Sequence, residues 1–133
     1  MTRLSCFITG TDTEIGKTTV SCAIIRALVK KGLHVAAMKP VAAGAFEFDG
    51  ALHNEDVDAL AEASNMDLPL SLTTPYLLKT PIAPHLSAEL DHVVIDNHHI
   101  VSCYREIRHQ ADVVIVEGVG GFCVPFTDCS DSA

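Results

Sequence analysis

The sequence predicts an α/β fold in which a parallel β-sheet is flanked by helices. Short apolar segments at 4–9, 33–41 and the start of 111–128 are typical of buried strands, and helical patterns lie between them. Buried strands that alternate with helices favour a parallel sheet with crossover connections. Apolar residues make up 48% of the 133 and aromatic residues only 5%, which suits this class and a single domain over 1–133.

Charge and composition exclude several kinds of partner. The formal net charge of −8 argues against nucleic acid or an anionic membrane as a general partner. No apolar run is long enough to span a bilayer, and no secretory signal follows Met1, so a cytoplasmic location is expected. The five cysteines are scattered without a C-x-x-C pair, which argues against a disulfide framework or a zinc site.

The first half of the chain predicts a strand, a helix and a second strand. The segment 4–9 is nearly all apolar, as a strand buried on both faces would be. The segment 17–32 predicts a helix that ends in lysines and a glycine, which suit the negative end of a helix. A second buried strand is expected at 33–41, ended by Pro40, and a Gly/Ala-rich loop at 42–53.

The second half predicts two further helices and a third strand. Asn54 is expected to cap a helix over 55–65, with Val57, Leu60 and Ala61 on its apolar face. An irregular stretch is expected at 66–83 and a short helix at 84–90. Asp96 or Asn97 then caps a helix that carries apolar residues at turn spacing, namely Ile100, Tyr104 and Ile107. The third strand opens 111–128 and leads into a Gly-rich loop.

The turn after the first strand carries a phosphate-binding pattern, "GTDTEIGKT" at 10–18. It approaches G-x-x-x-x-G-K-[ST], although Thr11 stands where the first glycine is expected and Gly10 lies one residue earlier. In such a loop the backbone N–H groups and the helix dipole bind phosphates, a lysine reaches the outer phosphates, and a hydroxyl ligates Mg²⁺. Gly-Lys-Thr directly after a buried strand favours this interpretation over an ordinary strand-to-helix turn.

Further polar residues fall at predicted carboxyl ends of strands, where parallel sheets bind ligands. Lys39 follows the second strand and Glu117 the third. Glu117 suits a second Mg²⁺ ligand, the alternative being a cap on the following turn. Lys39 gains nothing from packing there, although a surface lysine is the alternative. Asp56 fits a metal ligand and a first-turn acid equally well.

Five motifs occur in a family-specific order: "GTDTEIGKT", "MKPVAAG", "NEDVDAL", "PIAPH" and "VEGVGG". With this order and spacing, the chain from about Leu4 to Asp128 resembles the dethiobiotin synthetase family. Members of that family have the longer loop, so Gly10 stands where their glycine stands. The resemblance implies a P-loop NTPase-type parallel sheet with flanking helices, incomplete at the C-terminus.

The resemblance also implies a role for each matching position. The ATP-binding positions are Glu14, Ile15, Gly16, Lys17, Thr18, Thr19, Asp56, Glu117, Gly118, Val119 and Gly120. Thr18, Asp56 and Glu117 would bind Mg²⁺, and Lys39 and Lys17 would be catalytic. Thr13 and Ala43 would contact substrate, although Ala43 stands where family members often carry a serine.

The implied reaction is the ATP- and Mg²⁺-dependent closure of a ureido ring. An amine of 7,8-diaminopelargonic acid captures CO₂ as a carbamate, ATP phosphorylates it, and the second amine displaces phosphate to give dethiobiotin. The family is typically homodimeric and continues beyond the motif at 116–121, so we expect a truncated chain with poor turnover alone.

Three alternatives remain at this point. The first is a non-catalytic nucleotide-binding remnant. The second is an amidating synthetase of the same superfamily, which would be expected to need a glutaminase domain. The third is a partitioning-type ATPase, which usually has a second lysine where this chain has Thr11 and Asp12.

Overall fold

The computed structural model describes residues 4–8, 16–79, 89–90 and 92–118. In chain order its elements are β1 (Leu4–Ile8), α1 (Lys17–Lys30), β2 (Val35–Met38), β3 (Val41–Ala42), β4 (Phe46–Phe48), β5 (Ala51–His53), α2 (Glu55–Ala63), α3 (Leu70–Thr73), β6 (Tyr76–Leu77), α4 (Asn97–Gln110) and β7 (Val113–Glu117).

The main sheet is parallel and has the strand order β1-β7-β2 in the described part of the chain. Leu4 pairs with Val113 at one end of β1, and Ile8 pairs with Glu117 at the other. β2 lies on the opposite side of β7, where Met38 pairs with Val116. The carboxyl ends of all three strands therefore meet at one edge, which confirms the predicted parallel sheet.

Helices cover both faces of this sheet. On one face α1 and α2 pack against side chains of β2 and β7. This cluster includes Ile25 of α1, Leu60 of α2 and Ile115 of β7. On the other face α4 and the segment around α3 pack against the alternate side chains of β2 and β7. This second cluster includes Ile107 of α4 and Val114 of β7. The alternation of Val114 and Ile115 between the two clusters explains why β7 is apolar throughout.

The prediction that β1 is buried on both faces is wrong. β1 lies at the edge of the described sheet, and Leu4 and Phe7 are 55% and 52% exposed. An apolar run indicates that a strand can be buried, but the position of the strand in the sheet decides whether its side chains are covered.

The prediction of a loop over 42–53 is also wrong. β4 and β5 form an antiparallel hairpin in which Phe46 pairs with His53. Its turn is Asp49-Gly50, and both residues have positive φ, at 54° and 78°. Asp-Gly between short apolar segments is a strong hairpin pattern, so the sequence contained the information. β3 pairs with β6 in a separate two-stranded parallel sheet.

The helices predicted at 17–32, at 55–65 and after Asp96 or Asn97 are confirmed with adjusted ends and faces. Asn54 caps α2, which ends at Ala63 rather than at 65. Val57 and Leu60 are buried as predicted, but Ala61 is exposed and Ala63 is buried instead. The irregular stretch at 66–83 contains α3 and β6.

The last predicted helix is present as α4. Asp96, not Asn97, caps α4, and Ile107 is fully buried there. The helix expected at 84–90 lies mostly outside the described residues, which show helix at 89–90. No helix in the described ranges is long and apolar enough to cross a membrane.

Candidate active site

Lys39, Glu117 and Thr18 meet at the carboxyl edge of the sheet. Lys39 Nζ donates a hydrogen bond to Glu117 Oε1 at 3.0 Å, and Thr18 Oγ1 donates to the same oxygen at 2.7 Å. Lys39 is 5% exposed and Glu117 is 1% exposed. Lys39 is therefore a buried, paired cation, and not a surface lysine at a strand end.

Asp56 joins this cluster from the start of α2. Its Oδ2 lies 3.5 Å from Lys39 Nζ, and its side chain is about half exposed. Asn54 fixes the start of the helix, because its side chain accepts from the N–H groups of Asp56 and Val57 and donates to the Ala43 carbonyl at 3.1 Å. Ala43, the predicted substrate contact, and Asp56 are thus connected through the Asn54 side-chain amide.

The start of α1 has no acidic residue and carries a buried lysine. Gly16 precedes the helix with φ of 80°, a left-handed conformation that favours glycine. Lys17 is buried at the first helical position, and the first turn of α1 contains no acid. The positive end of the helix dipole and its N–H groups therefore lie beside Thr18.

Several predicted site residues lie outside the described part of the chain, namely Thr13, Glu14, Ile15, Val119 and Gly120. Thr19 is exposed on α1. Gly118 is described, and its N–H donates to the Ile8 carbonyl at 3.0 Å. A Cβ at this position would lie 3.1 Å from Phe7 Cζ, so a larger residue would require the half-exposed Phe7 ring to shift slightly.

Two buried polar atoms near this edge make no hydrogen bond with the residues that the structure describes, Glu117 Oε2 and Ser21 Oγ. A carboxylate oxygen without a donor is an available ligand for a hard cation, and Mg²⁺ is commonly bound through one or two carboxylates. Within the described ranges no three His, Cys, Asp or Glu side chains cluster as a metal site. Two carboxylates and a hydroxyl nevertheless fit Mg²⁺.

Sequence reasoning missed Ser21 and the link that Asn54 makes to Ala43. Ser21 is fully buried on α1, four residues after Lys17 and three after Thr18, so helical spacing alone places it on their side of the helix. Asn54 was predicted as a cap, but its second bond depends on the chain after β2 folding back to α2.

Cys22 lies in the core below this cluster. Burial raises the pKa of its thiol above the ordinary 9.0, and the negative charges of Glu117 and Asp56 raise it further. Arg26 partly opposes this rise. The upward shift of the Cys22 pKa is therefore caused first by burial, and the negative charges of Glu117 and Asp56 only add to it.

Two cavities lie beside the carboxylate partners of Lys39, Glu117 and Asp56. A mainly apolar cavity of about 360 Å³ lies on the α4 side and is lined by Phe7, Met38, Tyr104 and Glu117, among others. A second cavity of about 230 Å³ is lined by Gly44, Phe46, Asn54, Glu55 and Asp56. One carboxylate partner of Lys39 thus faces each cavity.

A family model described as an AAA domain matches residues 5–130. The chain belongs to this AAA-domain family. The ATP-dependent dethiobiotin synthetase BioD of Janthinobacterium sp. (strain Marseille) is 55% identical over 97% of this chain. The chain covers 56% of that protein, so it spans little more than half the length of this relative.

Membership in the AAA-domain family confirms the resemblance and the P-loop NTPase-type fold. Thr18, Lys39, Asp56 and Glu117 all lie within the matched residues. The similarity to BioD favours the dethiobiotin synthetase type over the amidating synthetase and the partitioning-type ATPase.

Proposed function

We propose that this protein is an ATP-dependent carbon–nitrogen ligase that converts 7,8-diaminopelargonic acid and CO₂ into dethiobiotin, with release of ADP and phosphate. One observation carries the proposal: Lys39 is buried between Asp56 and Glu117, and Thr18 at the start of α1 bonds to the same Glu117 oxygen. The 55% identity to BioD supports the choice of substrate.

The ATP phosphates would bind at the start of α1. Gly16 allows the backbone to turn there, and Lys17 provides a buried positive charge at the first helical residue. Thr18, Asp56 and Glu117 would hold Mg²⁺, which when bound supplies charge neutralisation at the phosphates. The orphaned Glu117 Oε2 supports this assignment.

Lys39 would offset the repulsion between the two reacting anions. A substrate amine adds to CO₂ with loss of a proton, and the carbamate oxygen then attacks the γ-phosphorus of ATP. At an effective dielectric constant of about 20, two unit charges about 4 Å apart repel by roughly 4 kcal/mol. An ammonium group beside both anions reduces this cost and stabilises the transferring phosphoryl group.

Ring closure then depends more on the positions of the reacting groups than on charge compensation. The second amine attacks the carbonyl carbon of the carbamoyl phosphate, and phosphate leaves with the electron pair of the C–O bond. Thr13 and Ala43 are the proposed substrate contacts. The methyl side chain of Ala43 cannot donate a hydrogen bond, so its contribution would come from its backbone and from the shape of the cavity next to Gly44.

Two further proposals follow from the resemblance and the reaction. The working assembly would be a homodimer, which size-exclusion chromatography with light scattering would test. Consumption of ATP fits the cytoplasmic location that the sequence predicts.

The test measures the formation of dethiobiotin by mass spectrometry. The chain is given ATP, Mg²⁺, ¹³C-bicarbonate and 7,8-diaminopelargonic acid, beside a folded Glu117→Gln variant as control. Product that carries one ¹³C with the parent, and none with the variant, is expected. A folded chain that binds ATP without forming product would instead be a nucleotide-binding module.

A further inference from the structure

Lys39 is paired with the two carboxylates that are also proposed to bind Mg²⁺. Lys39 Nζ donates to Glu117 Oε1 at 3.0 Å and lies 3.5 Å from Asp56 Oδ2. Both carboxylates proposed to bind the metal are therefore paired with an ammonium group. Thr18, the third proposed ligand, directs its hydroxyl hydrogen to Glu117 Oε1 at 2.7 Å.

We propose that Lys39 is a resident counter-cation of the metal site, which a divalent cation displaces from Glu117 and Asp56 when it binds. This inference rests on the proposed function, because it assumes that these residues bind a divalent cation. It adds that the cation and the lysine compete, so that each free energy of binding depends on the other.

The hydrogen bonds at Glu117 support competition. A carboxylate oxygen offers about two lone-pair positions, and Glu117 Oε1 already accepts from Lys39 and from Thr18. A cation bound through Oε1, or through both oxygens of Glu117, must replace at least one of these donors, whereas a cation bound through Oε2 alone meets no donor among the described residues.

The charges support the same conclusion. Asp56, Glu117 and Lys39 together carry a net charge of −1, and Glu117 is 1% exposed. A buried carboxylate without a counter-ion is strongly disfavoured, so Lys39 stabilises the site when no divalent cation is bound. A divalent cation supplies this compensation itself and repels the nearby ammonium.

Displacement would also determine when Lys39 can contact the substrate. While paired with both carboxylates, the ammonium is held back from an anionic ligand at the sheet edge. Once the divalent cation takes those carboxylates, Lys39 is free to contact the substrate anion. The metal ion would then position Lys39 through the ligands that they share.

The test measures Mn²⁺ affinity by electron paramagnetic resonance of free Mn²⁺, without ATP or substrate. Lys39→Met removes the ammonium but keeps an unbranched side chain, and Lys39→Arg keeps the charge. Lys31→Met removes the same charge from an exposed position after α1. Displacement predicts about tenfold tighter binding in Lys39→Met and little change in Lys39→Arg and Lys31→Met.

A Glu117→Gln variant separates this inference from the proposed function. Lost Mn²⁺ binding in Glu117→Gln with unchanged binding in Lys39→Met overturns displacement but leaves the metal site in place. Unchanged binding in Glu117→Gln overturns both, because the cation then binds elsewhere. Equal gains in Lys39→Met and Lys31→Met would reduce the effect to overall charge and also overturn displacement, as would absence of binding in every variant.

A second measurement needs no substitution at Lys39. The parent chain is briefly treated with acetic anhydride with and without saturating Mg²⁺, and acetylation of Lys39 and Lys31 is compared by mass spectrometry. Release of Lys39 predicts a several-fold rise in its acetylation relative to Lys31. Equal acetylation of Lys39 with and without Mg²⁺ overturns the proposal even if Lys39→Met does not fold.

Discussion

Lys39 Nζ lies within 3.5 Å of carboxylates from two different elements, Asp56 at the start of α2 and Glu117 at the end of β7. A side chain with these partners controls both the charge and the geometry of the site. Its truncation should affect chemistry and nucleotide binding differently, because the predicted phosphate contacts come from the start of α1.

For Lys39→Ala we expect turnover to fall by about 10²–10³-fold, which is typical for loss of one charge-stabilising donor. Nucleotide affinity should be largely kept. Labelled dethiobiotin formation and calorimetric ATP binding measure the two quantities, with Lys31→Ala as the control. Equal turnover in variant and parent would remove Lys39 from the mechanism.

The buried cysteines should resist alkylation at neutral pH. Burial raises the pKa of the Cys103 thiol, helped by Glu106, and burial also raises that of Cys22. Both thiols therefore stay protonated, whereas Cys6 is exposed. Iodoacetamide followed by peptide mapping should label Cys6 faster than Cys22 and Cys103, and equal rates for Cys6 and Cys22 in the folded chain would contradict this.

These pKa shifts also have a consequence for stability. The unfolded chain loses the thiol protons near the ordinary 9.0, while the folded chain retains them. Folding is therefore favoured less as pH rises above about 9. We expect the denaturation midpoint to fall over this range, and to fall less in a Cys22→Ala variant.

Among the elements, α2 depends on a single cap. Asn54 satisfies two N–H groups of the helix and the Ala43 carbonyl. Asn54→Ala should reduce the free energy of unfolding by about 2 kcal/mol, because the cap is lost and a carbonyl loses its donor. Urea denaturation measures this, with the exposed Asn97→Ala expected within about 0.5 kcal/mol of the parent.

Two glycines with similar positive φ angles flank helix α1. Gly16 before the helix and Gly32 after it have φ of 80° and 87°, and at either position an added Cβ would meet no atom of the described residues within 4 Å. Substitution of either by alanine should cost roughly 1–2 kcal/mol of stability through left-handed backbone strain. Only Gly16→Ala should also weaken ATP binding, since only Gly16 lies at the predicted phosphate site. Equal ATP affinity in the two variants would contradict this.

At the scale of the whole molecule, the exposed edge strand predicts self-association. In the described part of the chain β1 pairs with β7 alone, and Leu4 is 55% exposed. Open apolar edges pair with other chains, and a lysine on the edge opposes this. Leu4→Lys should reduce aggregation measured by light scattering, whereas Val94→Lys, at an 85% exposed position outside the sheets, should not. Equal aggregation in both variants would argue against β1 as the contact.

The sequence was sufficient to predict the parallel sheet, the cap on α2 and the gathering of Thr18, Lys39 and Glu117 at one edge. These features depend on local patterns, because the direction of each strand follows from the helix after it. The edge position of β1 and the Lys39–Glu117 bond could not be predicted in this way. They depend on β7 lying between β1 and β2, and periodicity contains no information on strand order.

The central position of β7 sets the order in which the site can form during synthesis. β1 and β2 both pair with β7 and not with each other, so neither has its sheet partner until residues 113–117 leave the ribosome. At about 5–20 residues per second, those residues follow β2 by several seconds. Thr18 and Lys39 are therefore synthesised several seconds before Glu117, and Lys39 can pair with Glu117 only after β7 has joined the sheet.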